Sequence, residues 1–211
     1  MSATKSRHKK PKFKIQRRLG QEIPGLGRPG ALAKRNCPPG IHGLKKRRFS
    51  EYGVRLTEKQ KIIAHYNMKE KQMRRFVSIA KRGSGRNWTE KLFCLLESRL
   101  DNLVFRLGFA ASIPAARQMV THKKVLIDGK CVWTPSVIVK VGSEISLADK
   151  CYDSDLYQAL KKTPRLEVPA YLDKQVSAKK DIGKLVELPT SEAIPFKLEK
   201  RFISEFYAHV K

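Results

Sequence analysis

Basic side chains at regular spacing are the residues of this sequence best suited to chemistry, and the chemistry is phosphate binding. Arg99 and Arg106 are seven residues apart, about two helical turns, so a helix would present them on a similar face. Arg117 and the run His122-Lys123-Lys124 follow closely and could converge beside them. Guanidinium and ammonium groups on a rigid helix pair suit RNA phosphates, because the narrow major groove of duplex RNA hides its base edges.

Internal pairing is the competing interpretation for the two helical arginines. Glu97 and Asp101 lie in the same stretch, and either carboxylate could neutralise Arg99 or Arg106 inside the protein. At the level of sequence both interpretations stay open.

Catalytic and metal-binding patterns are not found in the sequence. Cys37, Cys94, Cys131 and Cys151 stand 57, 37 and 20 residues apart, which gives no zinc-finger spacing and no disulfide framework. No Ser/His/Asp, Cys/His, paired-carboxylate or phosphate-loop arrangement is present either. We therefore expect reduced cysteines, no metal, no cofactor and no enzymatic activity.

Helical periodicity, caps and turn residues predict the elements that position the basic groups. The Thr57–Gln60 capping pattern predicts a helix to about His65, ended by Asn67, and a leucine stripe predicts one long helix that Gly108 closes. The remaining predicted elements are a helix over 69–82, a helix capped by Ser112 through Val120, a hairpin 125–132 turning on Asp128-Gly129, strands at 137–139, 144–147 and 185–188, and helices at 153–162 and 198–207.

The positive charge is concentrated in the amino-terminal half. Of the net charge of +26, residues 1–50 carry +14 and residues 51–95 carry +7, whereas residues 96–150 carry only +3. Prolines and glycines make long regular elements improbable within residues 1–48. A charge of this size indicates a polyanionic partner, and no apolar run is long enough to span a membrane.

Several motifs resemble small-subunit ribosomal protein S-four, in its bacterial, zinc-free type. The resemblance runs from about Lys12 to Tyr207. The motifs that carry it are Glu97-Ser98-Arg99-Leu100-Asp101-Asn102-Leu103-Val104-Phe105-Arg106-Leu107-Gly108-Phe109-Ala110, Ala115-Ala116-Arg117-Gln118-Met119-Val120, Ile127-Asp128-Gly129, Pro38-Pro39-Gly40-Ile41-His42-Gly43, the stretch from Ser50 to Lys61, and Glu205-Phe206-Tyr207.

The resemblance implies an α+β fold. It has a mainly helical amino-terminal domain with an extended basic arm, and an inserted helix-helix-hairpin RNA-binding domain with a small, mostly antiparallel sheet. The expected boundaries are 1–48 for the arm, 49–95 for the helical domain, completed by 150–211, and 96–149 for the helix-hairpin domain.

The resemblance also implies a function. A member of this family binds a multi-helix junction of small-subunit ribosomal RNA, nucleates subunit assembly and affects decoding accuracy. Its expected partners are that RNA, small-subunit ribosomal protein five, other neighbouring ribosomal proteins and messenger RNA where it enters the subunit, on a cytoplasmic or an organellar ribosome. The expected RNA-binding residues are Lys14, Arg17, Arg18, His42, Lys45, Lys46, Arg47, Arg48, Tyr52, Arg55, Lys59, Lys71, Arg74, Arg75, Arg99, Arg117, His122, Lys123 and Lys124.

Some positions depart from the family pattern. The family often has Gln at Ile41, Gly at Asn67, Arg at Ile113 and Asn at Asp128. We expect the change at Ile113 to remove one phosphate contact, and Asp128 to place a negative charge at the hairpin tip.

Two alternative functions are a free RNA-binding or assembly factor and an RNA-modifying enzyme that carries the same module. Arg99-Leu100-Asp101 matches the catalytic motif of pseudouridine synthases. That triplet lies within the predicted binding module, however, and too few residues follow Leu147 for a catalytic domain.

Overall fold

The computed structural model describes residues 12–27, 30, 32–44, 48–82, 87–177 and 180–208. Helices and strands are mixed in this part of the chain, which confirms the predicted α+β class. The helices are α1 (Lys12–Leu19), α2 (Glu51–His65), α3 (Glu70–Lys81), α4 (Trp88–Glu97), α5 (Leu100–Arg106), α6 (Ile113–Thr121), α7 (Asp155–Lys162) and α8 (Lys200–Phe206). The strands are β1 (Val125–Ile127), β2 (Lys130–Cys131), β3 (Glu144–Leu147), β4 (Leu172–Val176) and β5 (Asp181–Leu185).

Helix α2 begins seven residues earlier than predicted, because its N-cap is Ser50 and not Thr57. Ser50 is the N-cap, and its hydroxyl accepts from the Gly53 N–H at 3.2 Å. Thr57 lies within the helix and donates to the Gly53 carbonyl at 2.8 Å. The predicted end is correct, because Asn67 takes the left-handed backbone conformation at φ 49°.

The predicted long helix is divided into α4 and α5. Arg99 has an extended backbone (ψ 139°) and forms a β-bridge with Ile138. The N–H groups of Leu100 and Asp101 donate to the Val137 and Pro135 carbonyls at 2.9 and 3.1 Å. These bonds to a distant segment interrupt the helix although its leucine stripe continues, and they leave 137–139 as a bridge rather than the predicted strand.

The helix-hairpin unit has the predicted form. Ser112 caps α6, with Pro114 in the first turn. Asp128 and Gly129 both have positive φ angles, of 49° and 75°, as a two-residue hairpin turn requires. The Asp128 carboxylate also accepts a hydrogen bond from the Glu144 N–H at 2.8 Å. The carboxylate is therefore partly engaged at the first residue of β3.

One antiparallel sheet joins the hairpin to the carboxy-terminal segment, in the order β2-β1-β3-β5-β4. The strand predicted near 185–188 was placed too late, because β5 ends at Leu185, and β4 was not predicted. Gly183 of β5 is paired with Ile145 of β3, and a side chain there would collide with Leu107, which lies 2.3 Å from the position of its absent Cβ. A small residue is therefore needed where α5 meets the sheet.

The amino-terminal segment contains a helix that the sequence did not predict. Leu19, the last residue of α1, forms a small buried cluster with Ile23 and Leu26 that packs against Ala64 of α2. Apolar burial therefore holds this segment on the helical domain, at least over its described residues.

A buried carboxylate lies at the centre of the helical core. Glu97 is fully buried and accepts from the Tyr66 hydroxyl, from Asn102 Nδ2 at 2.8 Å and from the Tyr171 hydroxyl at 2.8 Å. Arg106 Nη2 lies 3.3 Å from the same carboxylate. Burial and the charge of Glu97 raise the pKa of both tyrosines, so both phenols stay protonated donors.

Candidate nucleic-acid interface

Arg99, which was expected to bind RNA, and Arg106, for which RNA contact and internal pairing were both open, lie inside the protein. Arg99 has no exposed surface, and its Nε and Nη2 donate to the Asp101 carboxylate at 3.0 and 2.6 Å. Arg106 is 3% exposed and pairs with Glu97. A guanidinium that is buried and paired in this way is withdrawn from any phosphate at the surface. The structure shows the internal pairing, and Arg99 is removed from the candidate interface.

Arg117 is held at the surface by the carboxylate that pairs with Arg99. Its Nη1 lies 3.4 Å from Asp101 Oδ2 and donates to the Asn67 carbonyl at 3.3 Å. Its side chain keeps 26% of its surface exposed. The two contacts limit the rotamers of a long side chain and place the turn between α2 and α3 against α6.

Three exposed basic side chains follow at the end of α6. The Lys123 N–H donates to the Val120 carbonyl at 2.9 Å and the Lys124 N–H to the Met119 carbonyl at 3.0 Å, which is the Schellman pattern. Lys123 occupies its left-handed position at φ 58°. The side chains of His122, Lys123 and Lys124 make no hydrogen bond or ion pair to any described residue, so they are available to a ligand.

The outer face of α3 carries further exposed basic side chains. Lys71 and Arg75 are exposed and have no ion pair within the described residues, and Arg74 is 64% exposed although it lies 3.4 Å from Glu70. The opposite face of α3 is buried in the core. We call the combined surface the basic face, and its members are Lys71, Arg74, Arg75, Arg117, His122, Lys123 and Lys124.

The candidate RNA-binding residues of the amino-terminal segment differ in whether their side chains already make contacts within the protein. Lys14, Arg18, His42 and Arg48 are exposed. Arg17 instead donates to the Cys37 carbonyl at 2.8 Å and to the Pro38 carbonyl at 3.4 Å, so it holds the Pro-Pro-Gly turn in place. Its hydrogen bond to Sγ also lowers the pKa of the Cys37 thiol. The candidates that lie outside the described residues are Lys45, Lys46 and Arg47.

The candidates on α2 contact α8. Arg55 Nε lies 2.7 Å from Glu205 Oε2, and Lys59 Nζ lies 3.1 Å from Glu70 Oε2 and 4.6 Å from the centre of the Phe206 ring. The exposed ring of Tyr52 lies 5.9 Å from the Phe206 ring. These side chains already make contacts within the protein, so they are less available to bind RNA than those of the basic face.

Comparison with known proteins places the chain in a family. A family model described as "Ribosomal protein S4/S9 N-terminal domain" matches residues 7–97, and one described as "S4 domain" matches residues 98–145. The "Small ribosomal subunit protein uS4B" of Bdellovibrio bacteriovorus is 50% identical over 200 residues, which are 95% of this chain and 96% of that protein.

The chain belongs to the uS4 family. Other similar members include the "Small ribosomal subunit protein uS4" of a Geobacillus species, 42% identical over 96% of this chain and 99% of that protein. The uS4 protein of Methylobacillus flagellatus is 40% identical over 97% and 98%. These matches confirm the resemblance. The S4 domain is an RNA-binding domain and the uS4 relatives are structural ribosomal proteins, so the prediction that the chain is not an enzyme is also confirmed.

The boundary between the two uS4 family domains lies at the break between α4 and α5. Residue 97 ends the first match and residue 98 begins the second. The basic face lies on both sides of this boundary, with Lys71 in the first domain and Lys123 in the second. The hydrogen bond from Arg117 to the Asn67 carbonyl crosses between them. Sequence reasoning missed this link, because an acceptor carbonyl leaves no signal in the sequence.

Neither a metal-binding cluster nor a membrane-spanning helix is present among the described residues. No group of three or more His, Cys, Asp or Glu side chains there could hold a metal ion. None of the described helices is long and apolar enough to cross a membrane.

Proposed function

We propose that this chain is a structural constituent of the small ribosomal subunit, and that its basic face binds a multi-helix junction of small-subunit ribosomal RNA. The observation that carries the proposal is a set of exposed basic side chains on α3 and at the end of α6. Five of them, Lys71, Arg75, His122, Lys123 and Lys124, have no ion pair among the described residues, and Arg117 of α6 is bonded to the turn that precedes α3. Fixed spacing between such cations suits the backbone shape of folded RNA, where phosphate contacts set position.

We further propose that binding occurs early in subunit assembly on a cytoplasmic ribosome, and that the bound chain affects decoding accuracy. The proposed protein neighbour is small-subunit ribosomal protein five, beside the channel through which messenger RNA enters. The surface between α2 and α8 supports a protein contact, since Glu51, Arg55, Arg201 and Glu205 there carry both signs of charge.

Retention on the ribosome tests this function against that of a free RNA-binding factor. Small subunits are isolated, washed in high salt and assayed for the chain by quantitative mass spectrometry. We expect about one copy per subunit after the wash, because a resident protein is enclosed by RNA and by its neighbours. Loss of the chain into the wash would identify it as a transient factor and contradict the proposal.

A further inference from the structure

Trp133 is a large aromatic side chain at the surface whose place in the fold is otherwise unexplained. It is 64% exposed, and its indole makes no hydrogen bond or ring contact with any described residue. The second tryptophan, Trp88, is partly buried against the core, and Lys81 Nζ lies 5.3 Å from its ring centre. An exposed tryptophan leaves a wide flat apolar surface in water, which favours a ligand that can cover it.

The hairpin register places Trp133 beside the lysines of the basic face. Leu126 is paired with Cys131, and the Val132 N–H donates to the Val125 carbonyl at 3.3 Å. Beyond the ends of β1 and β2, continuing this register by one more position would place Lys124 opposite Trp133. Residues opposed in an antiparallel pair share one face of the sheet, with Cβ atoms about 5 Å apart.

The shared face is the one turned away from the core. Val125 and its partner Leu147 are buried, so side chains alternate and Lys124 and Trp133 point to the other side. Cys131 Sγ lies 3.5 Å from the Lys123 carbonyl, which shows that this side of β2 also meets the end of α6. On the continued register Trp133 would neighbour Lys124, and the Cys131 contact brings the same side of β2 to Lys123.

The charge around Trp133 favours RNA over a protein as the ligand. The hairpin and the end of α6 carry four exposed basic side chains, His122, Lys123, Lys124 and Lys130. Asp128, the acidic residue at the hairpin tip, accepts a hydrogen bond from the Glu144 N–H through one carboxylate oxygen. A flat aromatic ring beside cations is the arrangement that binds an unpaired nucleotide, with the base stacked on the ring and the phosphate on the ammonium groups.

We propose that Trp133 stacks on an unpaired base of the RNA whose phosphates Lys123 and Lys124 bind. This inference rests on the proposed function and makes it more specific, because it requires a nucleotide outside the paired helices of the junction at this point. It also gives the S4 domain a contact that shape and charge alone do not supply.

Substitutions at Trp133 separate stacking from simple apolar contact. Affinity for a full-length small-subunit ribosomal RNA transcript is measured by filter binding. We expect Trp133→Ala and Trp133→Leu to lose about 10-fold in affinity and Trp133→Phe to stay within about 3-fold of the parent, since only an aromatic ring stacks. Trp88→Phe is the matched control and should bind like the parent. Equal affinities for the Leu and Phe variants would overturn the proposal.

Fluorescence gives a second readout on the folded protein. In the Trp88→Phe variant, Trp133 is the only tryptophan, and saturation with the transcript should quench its emission and shield it from acrylamide. Unchanged emission at saturation would overturn the stacking proposal.

Further outcomes separate this inference from the proposed function. If Trp133→Ala binds RNA normally while Lys123→Glu/Lys124→Glu does not, the stacking proposal fails and the proposed function stands. If neither variant weakens binding, both fail. If Trp133→Ala binds RNA normally but loses a protein neighbour in reconstituted subunits, the surface is a protein contact and the stacking proposal fails.

Discussion

At the scale of single residues, Asp101 supports the candidate interface although it carries the wrong charge to bind RNA. Its carboxylate holds Arg99 through two hydrogen bonds and lies 3.4 Å from Arg117. The carboxylate is 1% exposed, so it neutralises one buried guanidinium and positions a second at the surface. Loss of its charge should damage folding and RNA binding together.

We predict that Asp101→Asn destabilises the protein by about 3 kcal/mol or more, because Arg99 is left as an uncompensated buried charge. Urea unfolding measures this. The double variant Arg99→Met/Asp101→Asn should recover much of the loss, since it removes the buried cation and keeps similar volume. A single variant as stable as the parent, or a double variant no better than the single, would show that the buried pair does not matter to stability.

Residue type alone could not show that Arg99 is buried whereas Lys123 is exposed. Arg99 is enclosed by residues far along the chain, with Met68 Sδ at 3.0 Å from its Nη1 and the Phe76 ring centre at 5.3 Å. The sequence did identify the correct alternative partner, Asp101, because the two residues are close in the chain. It could not choose between that partner and RNA.

At the scale of elements, the features that local signals determine were predicted well. Helix α6 has its Ser112 cap, the hairpin has its Asp128-Gly129 turn, and the left-handed Asn67 follows the end of α2. Each signal consists of a residue that satisfies backbone groups or backbone angles within a few positions of itself.

Features that depend on distant partners were not predicted. The break at Arg99 is made by hydrogen bonds to the segment 135–139, and β4 is defined by its pairing with β5. Helix α1 is short, and its segment is held by burial against Ala64 rather than by a strong local signal. In each case the tertiary contact decides the outcome over local propensity.

A substitution at the end of α6 should change protein stability and RNA affinity in opposite directions. Lys123 is left-handed, a conformation that costs a side-chain-bearing residue about 1–2 kcal/mol and glycine little. We predict that Lys123→Gly stabilises the protein by about 0.5–1 kcal/mol after the entropy of the unfolded chain is counted, while affinity for small-subunit ribosomal RNA falls. Urea unfolding and filter binding measure the two effects.

Lys124→Gly is the matched control for this helix end. It removes the same charge from the neighbouring position, which pairs with the sheet, so it should lower both stability and affinity. If Lys123→Gly destabilised the protein as much as Lys124→Gly does, the left-handed helix end would not be a source of strain.

At the scale of the whole molecule, the carboxy-terminal segment connects the two matched domains. Strands β4 and β5 extend the sheet of the hairpin through β3, α8 packs on α2, and Arg106 donates to the Ala193 carbonyl. Such connections fix the spacing between basic groups on different elements. The sequence assigned this segment to the helical domain and did not predict its pairing with β3.

The charge distribution indicates that one part of the molecule attracts RNA in general and another part determines where the RNA binds. Residues 1–95 carry +21 of the net +26, and residues 96–150 carry +3. Within the second stretch, Arg99 and Arg106 are neutralised in the core, whereas Lys123 and Lys124 remain exposed. We therefore expect a few placed cations to determine where the RNA binds.

Two charge reversals of equal size test most directly whether the basic face is the RNA-binding surface. Lys123→Glu/Lys124→Glu alters the basic face, and Lys162→Glu/Lys197→Glu alters exposed lysines that lie outside it. Affinity for small-subunit ribosomal RNA is measured as a function of salt. We expect the first variant to lose about 10-fold or more in affinity and about 1.4–1.8 in the log–log salt slope, and the second to stay within about 3-fold of the parent. Equal losses in the two variants, or a parent affinity that does not change with salt, would contradict this expectation.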